Sequence, residues 1–482
     1  MTDQELKWLN LIAELAQEES SECYLVGGYL RDIYLNRPNK DLDFALSKNP
    51  KKLAQKFSDR LNFSFFVLHE KEEIYRVSNK EGHQFDFATF KGSTIQEDLS
   101  LRDFSINAMA YPITKLGTDP KGSVPNFVLD PHQGRKDIAN KIVRQVSPNI
   151  YQDDPLRLIR AFRFQSQLQF EIDSSTYETI KQEKNLIQDV AKERVREELL
   201  LLLESSKAYP TLLKCDESGL ISQLFPEIDP NRTCALHYYP EKGVWGHSLD
   251  AFKYLEWIFD HLESEFPENC EKIKSFLLSE GGESGEKSWY SLMKLAVLLH
   301  DVGKAPTAQM VEGRMRFYEH QNVGAKLTRT AAERLKFSSN GSRNLSRMVL
   351  EHMRPGGLAF APNLTERARF RFFRDLGINA IPTLIVSLAD RYTYLKEEEI
   401  GKGTDIHEKL VKDFILWYYK KVKEDSHKKK PIIDGTILMK ELHIPPSPTV
   451  GTLLKEIEEA LAIGEIHTQE EALTFARKLL GN

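Results

Sequence analysis

Two aspartates, Asp41 and Asp43, sit two residues apart in Asp41-Leu42-Asp43-Phe44-Ala45-Leu46. On a strand, alternate side chains share a face, so both carboxylates stand together while Leu42, Phe44 and Leu46 fill the other side. Two carboxylates held that way do not both stay ionised easily without a cation between them. Mg²⁺ suits the pair, since it takes one or two carboxylates and completes its shell with water and substrate phosphates. Upstream, Gly27-Gly28 ends a short apolar strand, Cys23 to Val26, and opens a helix running to Leu35. Residues without Cβ atoms let backbone N–H groups approach a phosphate at a helix start, where the helix dipole also favours an anion. Arg31 follows one turn later, within reach of the same phosphates.

A glycine pair alone is a turn, and Asp-x-Asp alone is a common strand end. Their combination at this spacing resembles the signature of the nucleotidyltransferase superfamily that includes DNA polymerase beta. The pattern Gly-Gly-x-x-Arg-Asp followed by Asp-x-Asp is similar to the class II branch, the bacterial CCA-adding enzymes and poly(A) polymerases. The resemblance implies that Asp41 and Asp43 hold the catalytic Mg²⁺ and that Gly27, Gly28 and Arg31 hold phosphates. It makes Asp86, in Asp86-Phe87-Ala88-Thr89-Phe90, a third carboxylate on a neighbouring strand. Leu101-Arg102-Asp103-Phe104-Ser105-Ile106-Asn107-Ala108 resembles the family's Arg-Arg-Asp-Phe-Thr-Ile-Asn-Ala, whose Arg and Asp hold ribose and triphosphate. Here the first arginine is Leu101, which leaves Arg102, Asp103 and Asn107 as candidates. Only six residues, Lys91 to Gln96, separate these two motifs, where full CCA-adding enzymes of the class carry a longer loop. That shortening resembles the CC-adding subtype, which stops after two cytidines, and equally fits a trim confined to one lineage.

The stretch Tyr151 to Phe164 reads as one helix with an acidic start and Pro155 in its first turn. Asp154 and Arg157, three apart, are expected on one face, with Arg160 and Arg163 continuing the series. A carboxylate beside a guanidinium complements cytosine (N4 donor, N3 and O2 acceptors) and adenine (N6 donor, N1 acceptor), and mismatches uracil and guanine. Against this stands a plain intrahelical ion pair, the commoner fate of such spacing. The run Asp153-Asp154-Pro155-Leu156-Arg157 resembles the class II template Glu-Asp-x-x-Arg, with Asp153 for Glu. Downstream, Glu193 to Leu199 resembles the next family motif, so that Arg194 and Glu198 brace the first helix.

A second donor set follows. An apolar helix, Leu295 to Leu299, delivers His300-Asp301, with His247 before it and His320, His352 and Asp390 after it. A lone histidine near an apolar helix is usually a structural residue. The order His…His-Asp…Asp resembles the HD metal-dependent phosphohydrolases: His247, His300, Asp301 and Asp390 match the core, and His320 and His352 the extra positions of binuclear members. Imidazole with carboxylate suits a divalent metal whose identity the donor set leaves open among Mn, Fe, Ni, Zn and Mg. Lys304 is a candidate phosphate contact.

The elements that must position these groups are legible in outline. Residues 1–140 alternate helix and strand, reading as a small mixed-sheet head; 141–228 read as an all-helical neck and body; 235–400 as an all-helical HD domain; and 401–482 as a helical linker and tail. The fold class expected is α+β. The Gly281 to Glu286 stretch is expected to be a loop, and the lysine run before Pro431 a boundary. With 482 residues and a net charge of −5 there is no global basic field, so any nucleic-acid surface is local. The four cysteines are scattered, which excludes a zinc ribbon and a disulfide framework and fits a reducing cytosol. Trp8, Leu9, Ile12 and Leu15 mark an amphipathic N-terminal helix, not a signal peptide, and no apolar run approaches the length a membrane span needs. A cytoplasmic enzyme acting on tRNA with CTP and ATP is expected, and no membrane partner. A poly(A) polymerase, or an HD phosphohydrolase whose head only binds, are the alternatives.

Overall fold

The computed structural model of the chain describes residues 2–115, 127–240, 242–279, 288–362, 364–422 and 432–481. The loop expected at 281–286 and the lysine run at 427–431 lie outside them. The chain forms two compact units, one of residues 1–205 and 210–224, the other of 206–209 and 225–482.

The first unit opens with a six-stranded mixed sheet. Its strands are β1 (Cys23–Val26), β2 (Asp41–Leu46), β3 (Ser64–His69), β4 (Ile74–Ser78), β5 (Gln84–Thr89) and β6 (Ala110–Pro112), in the order β3-β4-β5-β2-β1-β6. β2 and β5 run parallel, and the other neighbours antiparallel. Strand alternation gives the sheet one apolar face. Leu42, Phe44, Phe85 and Phe87 are buried there, with the Phe44 and Phe87 rings stacked at 5.1 Å. Two helices cover that face. The helix Pro50–Leu61 brings Phe57 to 5.0 Å from Phe85, and Asp3–Glu18 brings Trp8 to 5.3 Å from the same ring. The opposite face of β2 and β5 is left for polar side chains. The turn at Asp130 closes this region, accepting from the N–H groups of Gly134 and Arg135 at the start of the helix Gly134–Asn140. Gly134 is obligatory here, since a Cβ would stand 2.2 Å from the Ser105 carbonyl oxygen.

The helices of the neck follow. Arg157–Leu168 packs on Lys192–Leu203, tied by Ser166 Oγ donating to the Leu202 carbonyl at 3.1 Å. The neck is not purely helical: β7 (Ile142–Val143) and β8 (Glu171–Ile172) form a short parallel pair.

The second unit is a helical bundle around Phe252, Leu295, Leu345 and Leu384, all buried. A hairpin, β9 (Ala308–Val311) and β10 (Arg314–Phe317), interrupts it, so this portion too departs from the all-helical expectation. Its turn places Glu312 and Gly313 at φ 50° and 73°, the left-handed pair that a two-residue hairpin needs. The stretch Glu366–Tyr392 is long and apolar enough to cross a membrane by composition, contrary to the sequence reading; 78% of its apolar window is buried in the protein, which makes it a core element. The tail helices Gly435–Leu442, Pro448–Ala462 and Gln469–Leu479 share a core of their own around Leu438, Leu453 and Ile457. They attach within this unit through Glu459, which accepts from Arg371 Nε at 2.8 Å. All four cysteines are free.

Candidate active site and metal centre

The polar face of β2 and β5 opens into a cavity of about 510 Å³. Asp41 and Asp43 line it together, as alternation requires, and the parallel register sets Asp86 directly beside Asp43. Burial and then the neighbouring Asp86 carboxylate push Asp43 up to about 6. Three carboxylates on one face, one of them pushed toward its neutral form by burial and by its neighbours despite Arg102 and Arg76, fit a divalent cation. Gly27 adopts φ 76°, ψ −146°, a conformation that favours glycine, and a Cβ there would come 3.1 Å from Asp43 Oδ2. Gly28 begins the helix Gly28–Tyr34, and Arg31 from that helix reaches the cavity while bonding Asp32 and, at 2.8 Å, Asn107 Oδ1. Arg102, also on the cavity wall, is held by Asp98 at 2.9 Å.

The cavity's far wall comes from the neck. Asp154, Arg157, Arg160 and Arg163 all line it, but not as the single helix read from the sequence. One helix ends at Asp153, Asp154 is extended (φ −148°, ψ 98°), and the next begins at Arg157. The cause is Pro155, whose ring drives the preceding residue out of the helical region. Asp154 and Arg157 therefore do not share a helix face, and no intrahelical pair forms. Asp154 Oδ2 accepts from Arg194 at 3.0 Å, while Arg157 donates to the carbonyls of Leu101 at 2.7 Å and Ile150 at 3.2 Å. Arg194, expected only to brace a helix, thus holds the acid.

Asp103 is nearly buried and is engaged by Arg160 at 2.6 Å, by the Asn107 amide at 3.1 Å and by its neighbour's N–H at 2.7 Å. Burial alone would raise its pKa; Arg160 and these hydrogen bonds outweigh that and hold it down at about 2. Glu198 faces both Arg160, at 3.2 Å, and Arg163, at 3.0 Å. The sequence did not single out Arg76, which grips Asp86 with two bonds of 2.7 Å, nor Phe164, whose ring lies 4.2 Å below the Arg163 guanidinium. Both line the cavity. Phe164 had a signal, since it closes the arginine series; Arg76 is one charged residue on a strand and had none.

Between β5 and the helix Ile95–Ser100 the chain makes a tied turn. The N–H of Lys91 donates to Asp98 at 2.9 Å, that of Ser93 to Glu97 at 2.6 Å, and Thr94 caps the helix by accepting from Glu97 N–H.

In the second unit, five helices or their ends bring His247, His300, Asp301, His320, His352 and Asp390 together. Asp301 is shared by two groups, one with His247 and His300, the other with His320 and His352. The Nδ1 atoms of His300, His320 and His352 face the carbonyls of Val297, Phe317 and Val349 at 2.7, 2.9 and 2.7 Å, which leaves each Nε2 turned inward. The Nε2 atoms of all four histidines are buried and meet only the carboxylates of Asp301 and Asp390 or no hydrogen-bond partner at all, His247 Nε2 lying 2.9 Å from Asp390 Oδ1. Orphaned donors of this type on opposed elements fit metal ligation, with the carbonyl contacts fixing ring orientation. Burial, and then the neighbouring His300, hold His352 down at about 4, while against burial the carboxylates of Asp301 and Asp390 raise His247 and His300. Gly303 allows the close approach of the His320 turn: a Cβ would stand 2.1 Å from the His320 carbonyl. Lys304 lies between Asp301, at 2.6 Å, and the Tyr239 hydroxyl, at 3.0 Å.

Comparison with known proteins places these parts in sequence. Residues 23–94 and 91–144 match the poly A polymerase head domain, 169–231 the probable RNA and SrmB-binding site of polymerase A, 244–395 the HD domain, and 418–476 the tRNA nucleotidyltransferase domain 2. A CC-adding tRNA nucleotidyltransferase of Halalkalibacterium halodurans is 33% identical over 301 residues, covering 61% of this chain and 74% of that one. The chain belongs to the class II tRNA nucleotidyltransferase family and carries an HD domain. A CC-adding relative from Geobacter sulfurreducens is 38% identical over 221 residues, 46% of this chain and 49% of that protein. An A-adding tRNA nucleotidyltransferase of Deinococcus radiodurans is 28% identical and covers 94% of both chains. Among solved structures, the Thermotoga maritima CCA-adding enzyme complexed with tRNA has the same fold, with a TM-score of 0.64 at 21% identity over 100% of this chain and 96% of that one.

As a tRNA nucleotidyltransferase of this class, the chain has all thirteen residues singled out from sequence for transfer, nine from the head and four from the neck, lining one cavity. It also has the six HD residues around one centre.

Proposed function

We propose that the chain transfers cytidylyl groups from CTP to the 3′ end of tRNA, releasing pyrophosphate, and stops after CC. The observation that carries the head reaction is the joint presence of Asp41, Asp43 and Asp86 on one side of a cavity and Asp154 with Arg157 on the other. Asp41 and Asp43 would hold Mg²⁺, with Asp86 assisting; that ion supplies acidity at the attacking 3′-hydroxyl and charge neutralisation at the triphosphate. Gly27, Gly28 and Arg31 hold phosphates, and Arg102 with Asn107 approach the sugar. Asp103 acts through Arg160, which it orients at 2.6 Å. Asp154 keeps one oxygen on Arg194, and the other, which accepts from the Leu156 N–H at 3.3 Å, has a lone pair left for a cytosine or adenine amino group, while Arg157 donates to the ring acceptors.

The short turn from Lys91 to Thr94, ahead of the helix Ile95–Ser100, supports the restriction to CC. Its hydrogen bonds to Glu97 and Asp98 leave no free loop to rearrange the site for ATP. Relatives named CC-adding and A-adding both align with the chain, so the product must be read directly. Sequencing the 3′ ends of tRNA lacking CCA, after incubation with CTP, ATP and both, tests this. Addition of two cytidines in either mixture containing CTP is expected. A terminal A with both nucleotides refutes the restriction, and long A-tracts on other RNAs would favour a poly(A) polymerase. The paired partners fit a division of labour in which 1–140 is the catalytic head, 141–228 the base-reading and tRNA-binding neck, 235–400 the HD domain and 401–482 the tail, in a cytoplasmic enzyme.

A second activity is favoured by the orphaned donors of the HD centre. His247, His300, Asp301, His320, His352 and Asp390 would hold divalent metal, which activates water toward a phosphate ester. Lys304, braced by Tyr239, faces the same space.

A further inference from the structure

The sheet register sets a row of residues across the polar face of the head. Val26 pairs with Asp43, Asp43 with Asp86, Asp86 with Arg76, and Arg76 with Phe66. Each stands on a neighbouring strand, about 5 Å from the next. The glycine turn follows Val26, and two cations lie at that end: a Cβ at Gly27 would come 3.4 Å from Arg102, and one at Gly28 3.3 Å from Arg31. Arg76 lies at the opposite end, beyond the acids, on the wall of the same cavity.

That order has a chemical sense. Nucleotidyl transfer is an in-line displacement, so the attacking hydroxyl and the departing pyrophosphate lie on opposite sides of the phosphorus. With the triphosphate on the glycine turn, the attacking 3′ end comes from the side of Arg76. Arg76 spends one edge of its guanidinium on Asp86, Nε to Oδ1 and Nη2 to Oδ2 at 2.7 Å each. Nη1 has no partner among the described residues, and with the second N–H of Nη2 it forms another edge, of the kind that matches two phosphate oxygens. Phe66, next in the row, is 48% exposed. Its neighbour Phe65, on the other face, stacks on Tyr75 at 6.1 Å, whereas Phe66 meets no ring among the described residues.

We propose that Arg76 and Phe66 form the subsite for the 3′ end of the acceptor tRNA. Arg76 binds the last phosphodiester while its other edge holds Asp86 beside the attacking hydroxyl, and Phe66 stacks on the terminal base. Stacking accepts any base, so the subsite sets where the 3′ end lies without reading it. This rests on the transfer reading above, with the triphosphate on Gly27 and Gly28.

The test uses the full chain and tRNA lacking its CCA end, made with either a phosphodiester or an uncharged methylphosphonate as the last linkage. In wild type the methylphosphonate should lower kcat/KM for tRNA by about tenfold or more, the order of a hydrogen bond to a charged group. In Arg76→Met the two acceptors should differ by less than about twofold, with KM for CTP within about twofold of wild type. Should that variant not fold, Arg76→Lys keeps the charge without the second edge, and the methylphosphonate cost should fall to about threefold. A cost unchanged by the substitution, or a rise in KM for CTP in place of the acceptor effect, overturns the assignment of Arg76. Stacking is read separately, without metal or CTP, from 2-aminopurine as the terminal base of the acceptor. Wild type should quench its fluorescence, and Phe66→Ala should lose about half of the quenching or more. Quenching that survives in Phe66→Ala overturns the stacking. A wild type that adds no cytidine to either acceptor overturns the transfer reading itself, while the fluorescence still decides whether the 3′ end lies on Phe66.

Discussion

Replacing Arg160 by Met should strand a buried carboxylate, and the size of the effect follows from the site. In the native protein Asp103 has its pKa lowered from 3.8 to about 2, chiefly because Arg160 outweighs the cost of burial. At 1.36 kcal/mol for each pKa unit, the depression corresponds to about 2 kcal/mol in favour of the folded state near neutral pH. That contribution is present above the unfolded value and is lost as pH falls through about 2. In the Arg160→Met protein burial alone acts, so the carboxyl rises above its unfolded value and the folded state is penalised wherever the unfolded chain ionises. The total loss at neutral pH should be about 3–5 kcal/mol, the usual result of leaving one partner of a buried pair behind. The assay is hydrogen exchange of amides in the Arg157–Leu168 helix from pH 7 down to pH 4, since the chain has two units and one global transition is not assured. The difference between wild type and variant should be largest at neutral pH and shrink toward pH 4. Adding Asp103→Asn to the variant should recover at least half of the loss. A loss below about 1 kcal/mol, or a gap that widens on acidification, would refute the reasoning.

Asp154→Ala should reduce discrimination of CTP over UTP by about 5- to 150-fold, the range for a bidentate base contact of 1–3 kcal/mol, as read from kcat/KM for each nucleotide. Gly27→Ala should lower CTP incorporation while retaining the fold by circular dichroism, because its Cβ stands 3.1 Å from Asp43 Oδ2 on a backbone at φ 76°. Elemental analysis of protein exposed to Mn²⁺ or Ni²⁺ and then desalted should find metal in wild type and little in His300→Ala, with tRNA nucleotidyl transfer unaffected.

Sequence patterns made the head legible because strand alternation is strict. Once Asp41 and Asp43 were assigned to a strand, their shared face and the buried Leu42, Phe44 and Leu46 followed, and the structure has them so. The HD donors were legible as types and order, although nothing local reveals that Asp301 serves both groups. The helix from Tyr151 to Phe164 was misread because its apolar and charged residues keep a helical spacing across the break. Pro155 carried the correcting signal, through its effect on Asp154 rather than on itself. The hairpin at 308–317 was announced by Glu312-Gly313 between short alternating runs, while β7 and β8 are two residues each, too short for any period to register. The Asp154–Arg194 and Asp86–Arg76 pairs join distant segments, 40 and 10 residues apart, and only the folded chain brings them together.

The most direct test of the account is single-nucleotide addition from labelled CTP to tRNA lacking its CCA end, in Mg²⁺, by wild type and Asp43→Asn, with tRNA affinity measured on the same preparations. The variant should lose at least about a hundredfold in kcat, near 2.7 kcal/mol of transition-state stabilisation, and bind tRNA as wild type does. Incorporation within about tenfold of wild type would contradict the assignment of the strand carboxylates to the reaction.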